Sequence, residues 1–169
     1  MRVLETDRLT IREFTNDDAP FILRLLNEPS FIENIADKGV RTLEDARAYL
    51  ADGPMASYGK NGFGLWRVGT RDGDTPVGMC GLIRRDILPD VDIGYAFLPE
   101  HCAKGYALES AAAVMAYARD RVGLTRVVAV VDGANARSIR LLAKLGFVHE
   151  SMVRMAADEP EICLYAKAV

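Results

Sequence analysis

The stretch from Val91 to Val131 restricts the fold more than any other part of the chain. Val91, Ile93, Tyr95 and Phe97 alternate with Asp92, Gly94, Ala96 and Leu98, which predicts a strand with two distinct faces. Pro99 cannot donate to a ladder and stops that strand. Gly105 then precedes an alanine-rich run of strong helix formers, Tyr106 to Arg121, which Gly123 closes. Val127 to Val131 is a short continuous apolar run, the mark of a strand buried on both faces. Strand, helix and doubly buried strand in succession predict a mixed sheet flanked by helices.

The flanking segments fit the same plan. Arg8 to Arg12 reads as a first strand with Leu9 and Ile11 on one face. Cap-type residues at 15–18 precede Pro20 and a helical spacing of Phe21, Ile22, Leu25 and Leu26. Thr42 and Asp45 form a capping-box pattern for a second helix, which Gly53-Pro54 is expected to end. Strands are expected over 63–68 and 77–85, with a turn at 71–74. A last helix runs over 135–145 with Gly146 as its stop, and two closing strands span 147–154 and 161–167 across a tight turn at 158–160. Ile162, Leu164 and Ala166 form the core face of the last strand, so Tyr165 is expected to point away from it. The fold class is therefore α/β: a single domain over residues 1–169, with about seven strands and about four helices.

Composition removes several alternatives. The 169 residues are 50% apolar, enough to bury a core without staples. Lys and Arg number 21 against 24 acidic residues, so no basic excess points to nucleic acid. Cys80, Cys102 and Cys163 are odd in number and unspaced, which argues against a disulfide framework. Two histidines, His101 and His149, make a histidine-rich metal site improbable, and no metal is expected. The opening residues are charged where a signal peptide is apolar, and no run has the length of a membrane span. A cytoplasmic protein is expected, with no membrane or nucleic-acid partner; monomer and homodimer are both left open.

The turn Cys102-Ala103-Lys104-Gly105-Tyr106-Ala107 carries the first chemical signal. Backbone N–H groups at a helix start have no intrahelical partner, and the helix dipole adds positive charge there. Such a turn can hold phosphate oxygens, with Gly105 where a side chain would obstruct them and Lys104 at the rim. Alone, a Lys-Gly before a helix is usually only a turn.

With its neighbours the pattern becomes specific. Asp92-Ile93-Gly94-Tyr95, Lys104-Gly105-Tyr106-Ala107-Leu108-Glu109, and Asn135-Ala136-Arg137-Ser138 through Leu145-Gly146-Phe147 occur in that order. From Asp7 onward the chain resembles the GNAT superfamily of acetyl-CoA-dependent N-acetyltransferases. The opening Glu5-Thr6-Asp7-Arg8-Leu9-Thr10-Ile11-Arg12 looks like the branch that acetylates ribosomal-protein N-termini.

The resemblance implies a pyrophosphate loop at Ala103, Lys104, Gly105, Tyr106 and Ala107. It also implies a strand splayed from its neighbour so that pantetheine threads past Ala96, Phe97 and Leu98, where a backbone N–H polarises the thioester carbonyl. Asn135 is implied as a pantetheine contact. Two departures stand out. The family's loop reads Gly-Lys-Gly, but Ala103 replaces the first glycine, which is tolerable if that residue keeps φ below zero. Cys102 stands where the family tends to have Arg, Gln or Trp, and is read as a packing residue before a reactive one.

Acid and base are less determined. Asp92 matches an acidic position that serves as base in the histone-acetylating branch; the other reading is a structural partner for Arg84 or Arg85. Glu100 and His101 are weaker candidates. The family tyrosine that protonates the leaving thiolate has no counterpart between Phe147 and Arg154, which leaves Ser138 ahead of Tyr165. Ser138 is also in place to hold its own helix.

The expected reaction is direct attack of a primary amine on acetyl-CoA. An α-amine of pKa near 8 is partly neutral already, whereas a lysine near 10.4 needs roughly 4 kcal/mol of deprotonation, which favours a peptide or protein N-terminus. A small amine, such as an antibiotic or polyamine, and an acyl-CoA-binding sensor without turnover are the alternatives.

Overall fold

The computed structural model describes residues 1–169. Its strands are β1 (Arg2–Glu5), β2 (Leu9–Arg12), β3 (Leu65–Thr70), β4 (Pro76–Ile83), β5 (Asp92–Phe97), β6 (Arg126–Val131), β7 (Val148–Val153) and β8 (Ile162–Ala168). They form one mixed sheet in the order β1-β2-β3-β4-β5-β6-β8-β7. The helices are α1 (Ala19–Leu26), α2 (Pro29–Asn34), α3 (Leu43–Leu50), α4 (Ala56–Asn61), α5 (Tyr106–Tyr117) and α6 (Ala136–Leu145). No helix is long and apolar enough to cross a membrane.

Alternation along the strands sorts the helices into two layers. Leu9, Ile11, Trp66 and Ile93 pack with Ala111, Val114 and Met115 of α5 and with Leu142 and Leu145 of α6. On the opposite face Met79 and Leu98 meet Ile22, Leu25 and Leu26 of α1 and Ala46 and Leu50 of α3. Each fully buried leucine contributes about 1.5–3 kcal/mol of transfer free energy, so the two apolar faces fix which side of the sheet each helix takes. Val127 and Val131 enter the first core and Val128 a small cluster on the other face, so β6 is covered on both sides as its composition requires.

One irregularity in the sheet makes a cleft. β4 and β5 pair antiparallel along their length, from Gly78↔Phe97 to Ile83↔Asp92. β5 and β6 run parallel but pair only at Asp92↔Val128, where the Val128 N–H donates to Val91 O at 3.0 Å. Beyond that point β6 pairs only with β8, and β5 turns away. Arg126 pins the closed end, donating to Asp90 at 3.0 Å and to Glu150 at 2.8 Å. The cleft therefore opens from Asp92 toward Phe97.

Several expectations need correction. An additional strand, β1, pairs antiparallel with β2 and makes eight strands. Val3 and Leu4 pack against the core while Arg2 and Glu5 stay exposed, a pattern masked by the flanking charges. Pro29–Asn34 forms a helical turn with Pro29 in its first turn, a position that loses no hydrogen bond. Gly53-Pro54 does not end the second helix: α3 passes through a widened π-turn at 51–55 into α4, so the two form one continuous body and the chain has five. The closing hairpin is joined by residues 154–161 rather than by a tight turn. β8 has no single core face, because Leu164 and Ala166 pack with Leu88 and Val128 while Tyr165 packs against the first core.

Candidate active site

Both ends of the cleft are built by local chain chemistry. At the open end β5 stops before Pro99, and the chain turns through Cys102–Gly105 into α5. Gly105 takes φ +83°, the left-handed region, and serves as the N-cap of α5. No backbone N–H from Ala103 to Leu108 hydrogen-bonds within the protein, so a row of donors and the positive end of a twelve-residue helix meet at one place.

Ala103 also lies in the left-handed region, at φ +63°. This corrects the expectation that it keeps φ below zero. The loop has the shape a glycine would give it, and the alanine methyl costs roughly 1–2 kcal/mol there.

Arg8 is the residue of this loop that sequence reasoning passed over. Its Nη1 donates to the Lys104 carbonyl at 2.8 Å and its Nε to Glu109 at 2.7 Å. Its guanidinium lies 4.7 Å from the centroid of the Tyr106 ring. Glu109 also accepts from the Thr6 hydroxyl at 2.6 Å and from the Arg8 backbone N–H at 2.9 Å. Burial would raise the Glu109 pKa, but these donors hold it below the ordinary value, so it stays an anion. The available signal was that Arg8 and Glu109 belong to two of the quoted motifs.

Strand parity decides which groups of β5 face the cleft. The Leu98 N–H donates to Val77 of β4 at 2.9 Å, while the Val91 carbonyl accepts from β6. Alternation then turns Ala96 toward β4 and Ile93, Tyr95 and Phe97 toward the gap. Of Ala96, Phe97 and Leu98, only Phe97 presents its backbone N–H to the cleft. Leu98 is corrected on this point, since its N–H is already spent.

The side chains of β5 point to the two faces. Toward α6, the Tyr95 hydroxyl lies 2.6 Å from Ser138 Oγ. Burial lifts the Tyr95 pKa to about 12, with the Ser138 contact opposing, so the phenol stays protonated. Asn135 caps α6, its Oδ1 accepting the Ser138 N–H at 3.2 Å. Toward α1 and α3, Asp92 is 1% exposed at the closed end and pairs with Arg85 Nε at 3.1 Å. Burial raises its pKa to about 6, against the pull of Arg85. Arg85, not Arg84, is its partner.

The remaining candidates fall away from the gap. Glu100 pairs with Arg24 at 2.5 Å on the surface, and that bond lowers its pKa. His101 is half-buried, its pKa lowered by burial and by Lys104, whose Nζ lies 3.4 Å from Nδ1. Tyr165 lies on β8, separated from β5 by β6, with its ring edge-on to His149 at 5.4 Å. Cys102 Sγ lies 3.5 Å from the Leu98 carbonyl and closes the turn. At the mouth a cavity of about 550 Å³ lies between Glu28 and Ser30, the loop at Ala103, and Arg137 of α6.

The sequence model described as "Acetyltransferase (GNAT) domain" matches residues 8–148. The uncharacterized N-acetyltransferase YoaA of Bacillus subtilis is 31% identical over 158 residues, covering 90% of this chain and 86% of that protein. Among solved structures, RimL, a ribosomal alpha-N-protein acetyltransferase in complex with coenzyme A, superposes with a TM-score of 0.86 at 15% identity, over 100% of this chain and 98% of that one. The microcin self-immunity acetyltransferase MccE, in complex with acetyl-CoA and AMP, gives 0.81 at 17% identity, over 97% and 94%. At these identities the structural likeness speaks for the fold.

Proposed function

The chain belongs to the GNAT acetyltransferase family and is an N-acetyltransferase; from that premise we propose that it moves the acetyl group of acetyl-CoA directly to the α-amine of a peptide or protein N-terminus. The observation that carries this reading is the cleft between β5 and β6, with unpaired loop N–H groups at its mouth and a buried carboxylate at its closed end.

The pyrophosphate is assigned to the N–H groups from Ala103 to Ala107, with Lys104 adding charge and Arg8 holding the loop. Pantetheine then runs along the open edge of β5, past Phe97, with the amide of Asn135 as a further contact. A backbone N–H of that edge polarises the thioester carbonyl; a preorganised donor of this kind is worth roughly 3 kcal/mol.

The amine approaches from the α1/α3 side, where Asp92 takes its proton directly or through one water. With a pKa of about 6, Asp92 is largely ionised at neutral pH yet basic enough to accept that proton. Nitrogen attacks the carbonyl carbon, the carbon–sulfur bond breaks, and no covalent enzyme intermediate forms. The thiolate leaves toward the α6 face, where the Ser138 hydroxyl donates to it. A thiol of pKa near 8.5 is a fair leaving group, so this donation helps without being essential.

Thiol release measured with acetyl-CoA and a panel of peptides and small amines tests the reading. Turnover with peptides bearing a free α-amine, lost on N-terminal blocking, is expected. Faster turnover of polyamines or amino sugars would move the acceptor to small amines. Acetyl-CoA binding without thiol release from any amine would overturn catalysis and indicate a sensor.

A further inference from the structure

The guanidinium of Arg8 has an edge that the loop clamp does not use. Its Nη1 donates to the Lys104 carbonyl at 2.8 Å and its Nε to Glu109 at 2.7 Å, while Nη2 makes no hydrogen bond within the protein. Arginine holds its N–H donors in a fixed fork, so both hydrogens of Nη2 are left without a partner. The two bonds and the Tyr106 ring, 4.7 Å away, fix the plane in which that edge lies. The side chain is half-exposed, so a ligand can reach it.

The free nitrogen stands beside the start of α5. Nη2 is 3.1 Å from the point that a Cβ on Gly105 would occupy. The sheet order sets Arg8 on the flank of the loop away from the cleft. It precedes β2, which lies three strands from β5, whereas the cleft opens between β5 and β6. On the cleft flank Ala103 and Arg137 line the cavity at the mouth, and Arg8 takes no part in that lining. Pantetheine leaves the pyrophosphate into the cleft, so the ribose at the other end of the pyrophosphate leaves toward Arg8.

The charges there suit an anion. Glu109 is consumed by the Thr6 hydroxyl and by the backbone N–H and Nε of Arg8. Lys104 adds a second cation next to Gly105, its Nζ 3.4 Å from His101 Nδ1. Asp7 is exposed and pairs with neither cation.

We infer that Arg8 is itself a ligand of the cofactor: its free Nη2 edge holds the 3′-phosphate of the coenzyme A ribose, so the site prefers the 3′-phosphorylated nucleotide. A guanidinium edge gives charge-assisted hydrogen bonds to phosphate oxygens, and a phosphomonoester carries nearly two charges at neutral pH. The inference rests on acetyl-CoA being the donor of the proposed reaction, and it adds a contact to the loop-holding role of Arg8.

Calorimetry with acetyl-CoA and with its 3′-dephospho analogue separates the contact from the clamp. A loosened loop weakens both ligands alike and cancels in the ratio of their dissociation constants, whereas a lost contact does not. The wild-type protein is expected to bind acetyl-CoA about tenfold or more tightly than the dephospho analogue. Arg8→Gln is expected to cut that ratio at least about threefold in a variant whose thermal unfolding shows it folded. A second readout needs no variant: the phosphorus resonance of the 3′-phosphate in bound coenzyme A should titrate at lower pH than in the free nucleotide. A wild-type ratio near one, a ratio unmoved in folded Arg8→Gln, or an unshifted titration would overturn the inference with acetyl-CoA binding intact. Failure of both nucleotides to bind would overturn the acetyl-CoA reading and this inference together.

Discussion

The Tyr95 hydroxyl, on β5, lies 2.6 Å from the Ser138 hydroxyl, on α6, and the contact bridges one face of the cleft. With its pKa pushed up to about 12 by burial, Tyr95 keeps its proton and can donate it to Ser138 Oγ. The serine proton is then free to point elsewhere, and the departing sulfur is the partner proposed for it. Ser138→Ala is expected to lower kcat about tenfold to a hundredfold with little change in acetyl-CoA affinity. Tyr95→Phe should cost less, and the double variant no more than Ser138→Ala, because both act through one hydrogen bond. Additive losses in a double-mutant cycle would separate the two roles. A large loss in Tyr165→Phe alone would move the acid to β8.

For Asp92, deprotonation must precede proton acceptance, so turnover is expected to rise with pH through about 6 and level above it. Asp92→Asn should lower turnover and flatten that rise while leaving acetyl-CoA binding unchanged. Arg85→Gln removes the charge that opposes the shift, so the rise should move to higher pH. Wild-type rates from pH 6 to 9 in Asp92→Asn would assign the carboxylate a structural role.

The same group makes a stability prediction with a defined sign. Its folded pKa of about 6 lies above the ordinary 3.8, so between those values the folded state binds more protons than the unfolded one. Stability from this residue is therefore fully present below about 4 and declines as pH rises to about 6. At pH 7.5 Asp92→Asn is expected to be the more stable protein, by up to about 3 kcal/mol, while being the poorer enzyme. Denaturant midpoints at pH 4.5 and 7.5 check this; an equal change at both would show that titration is not the cause.

Ala103 and Gly105, both in the left-handed region, predict that a side chain is unfavourable at either position. Ala103→Gly relieves a left-handed alanine at φ +63° and should stabilise the protein by about 0.5–1 kcal/mol, the gain being reduced by the greater freedom of glycine when unfolded. Gly105→Val forces a β-branched residue to φ +83°, with Cβ 3.1 Å from Arg8 Nη2. Acetyl-CoA affinity should fall at least tenfold, about 1.4 kcal/mol, in a variant that remains folded. Unchanged affinity by calorimetry would place the pyrophosphate elsewhere.

Arg8→Ala tests the clamp on the loop. It removes the bonds to Lys104 and Glu109 and the stacking on Tyr106, so acetyl-CoA affinity should weaken with kcat nearly unchanged at saturation. A loss of kcat at saturating acetyl-CoA would give Arg8 a different task.

What the sequence by itself determined is whatever depends on near neighbours in the chain. The alternation of β5, the stop at Pro99, the capping box at Thr42 and Asp45, and the αL glycines Gly105, Gly123 and Gly146 follow from backbone geometry and periodicity within a few residues. The turn into α5 was legible for the same reason, whereas Asn135 was read as part of the helix that it caps. Tertiary structure decided whatever depends on relations across the sheet. The loss of pairing between β5 and β6 after Asp92 is a property of two strands and their partners, and no pattern within either one encodes it. The choice of Arg85 for Asp92, of Tyr95 for Ser138 and of Arg8 for Glu109 spans 7, 43 and 101 residues. Burial of Asp92, which sets its pKa, is a product of packing around the sheet and not of its neighbours in the chain. Composition supplied the charges and hydroxyl groups; only packing determined which of them meet, and how dry the place of meeting is.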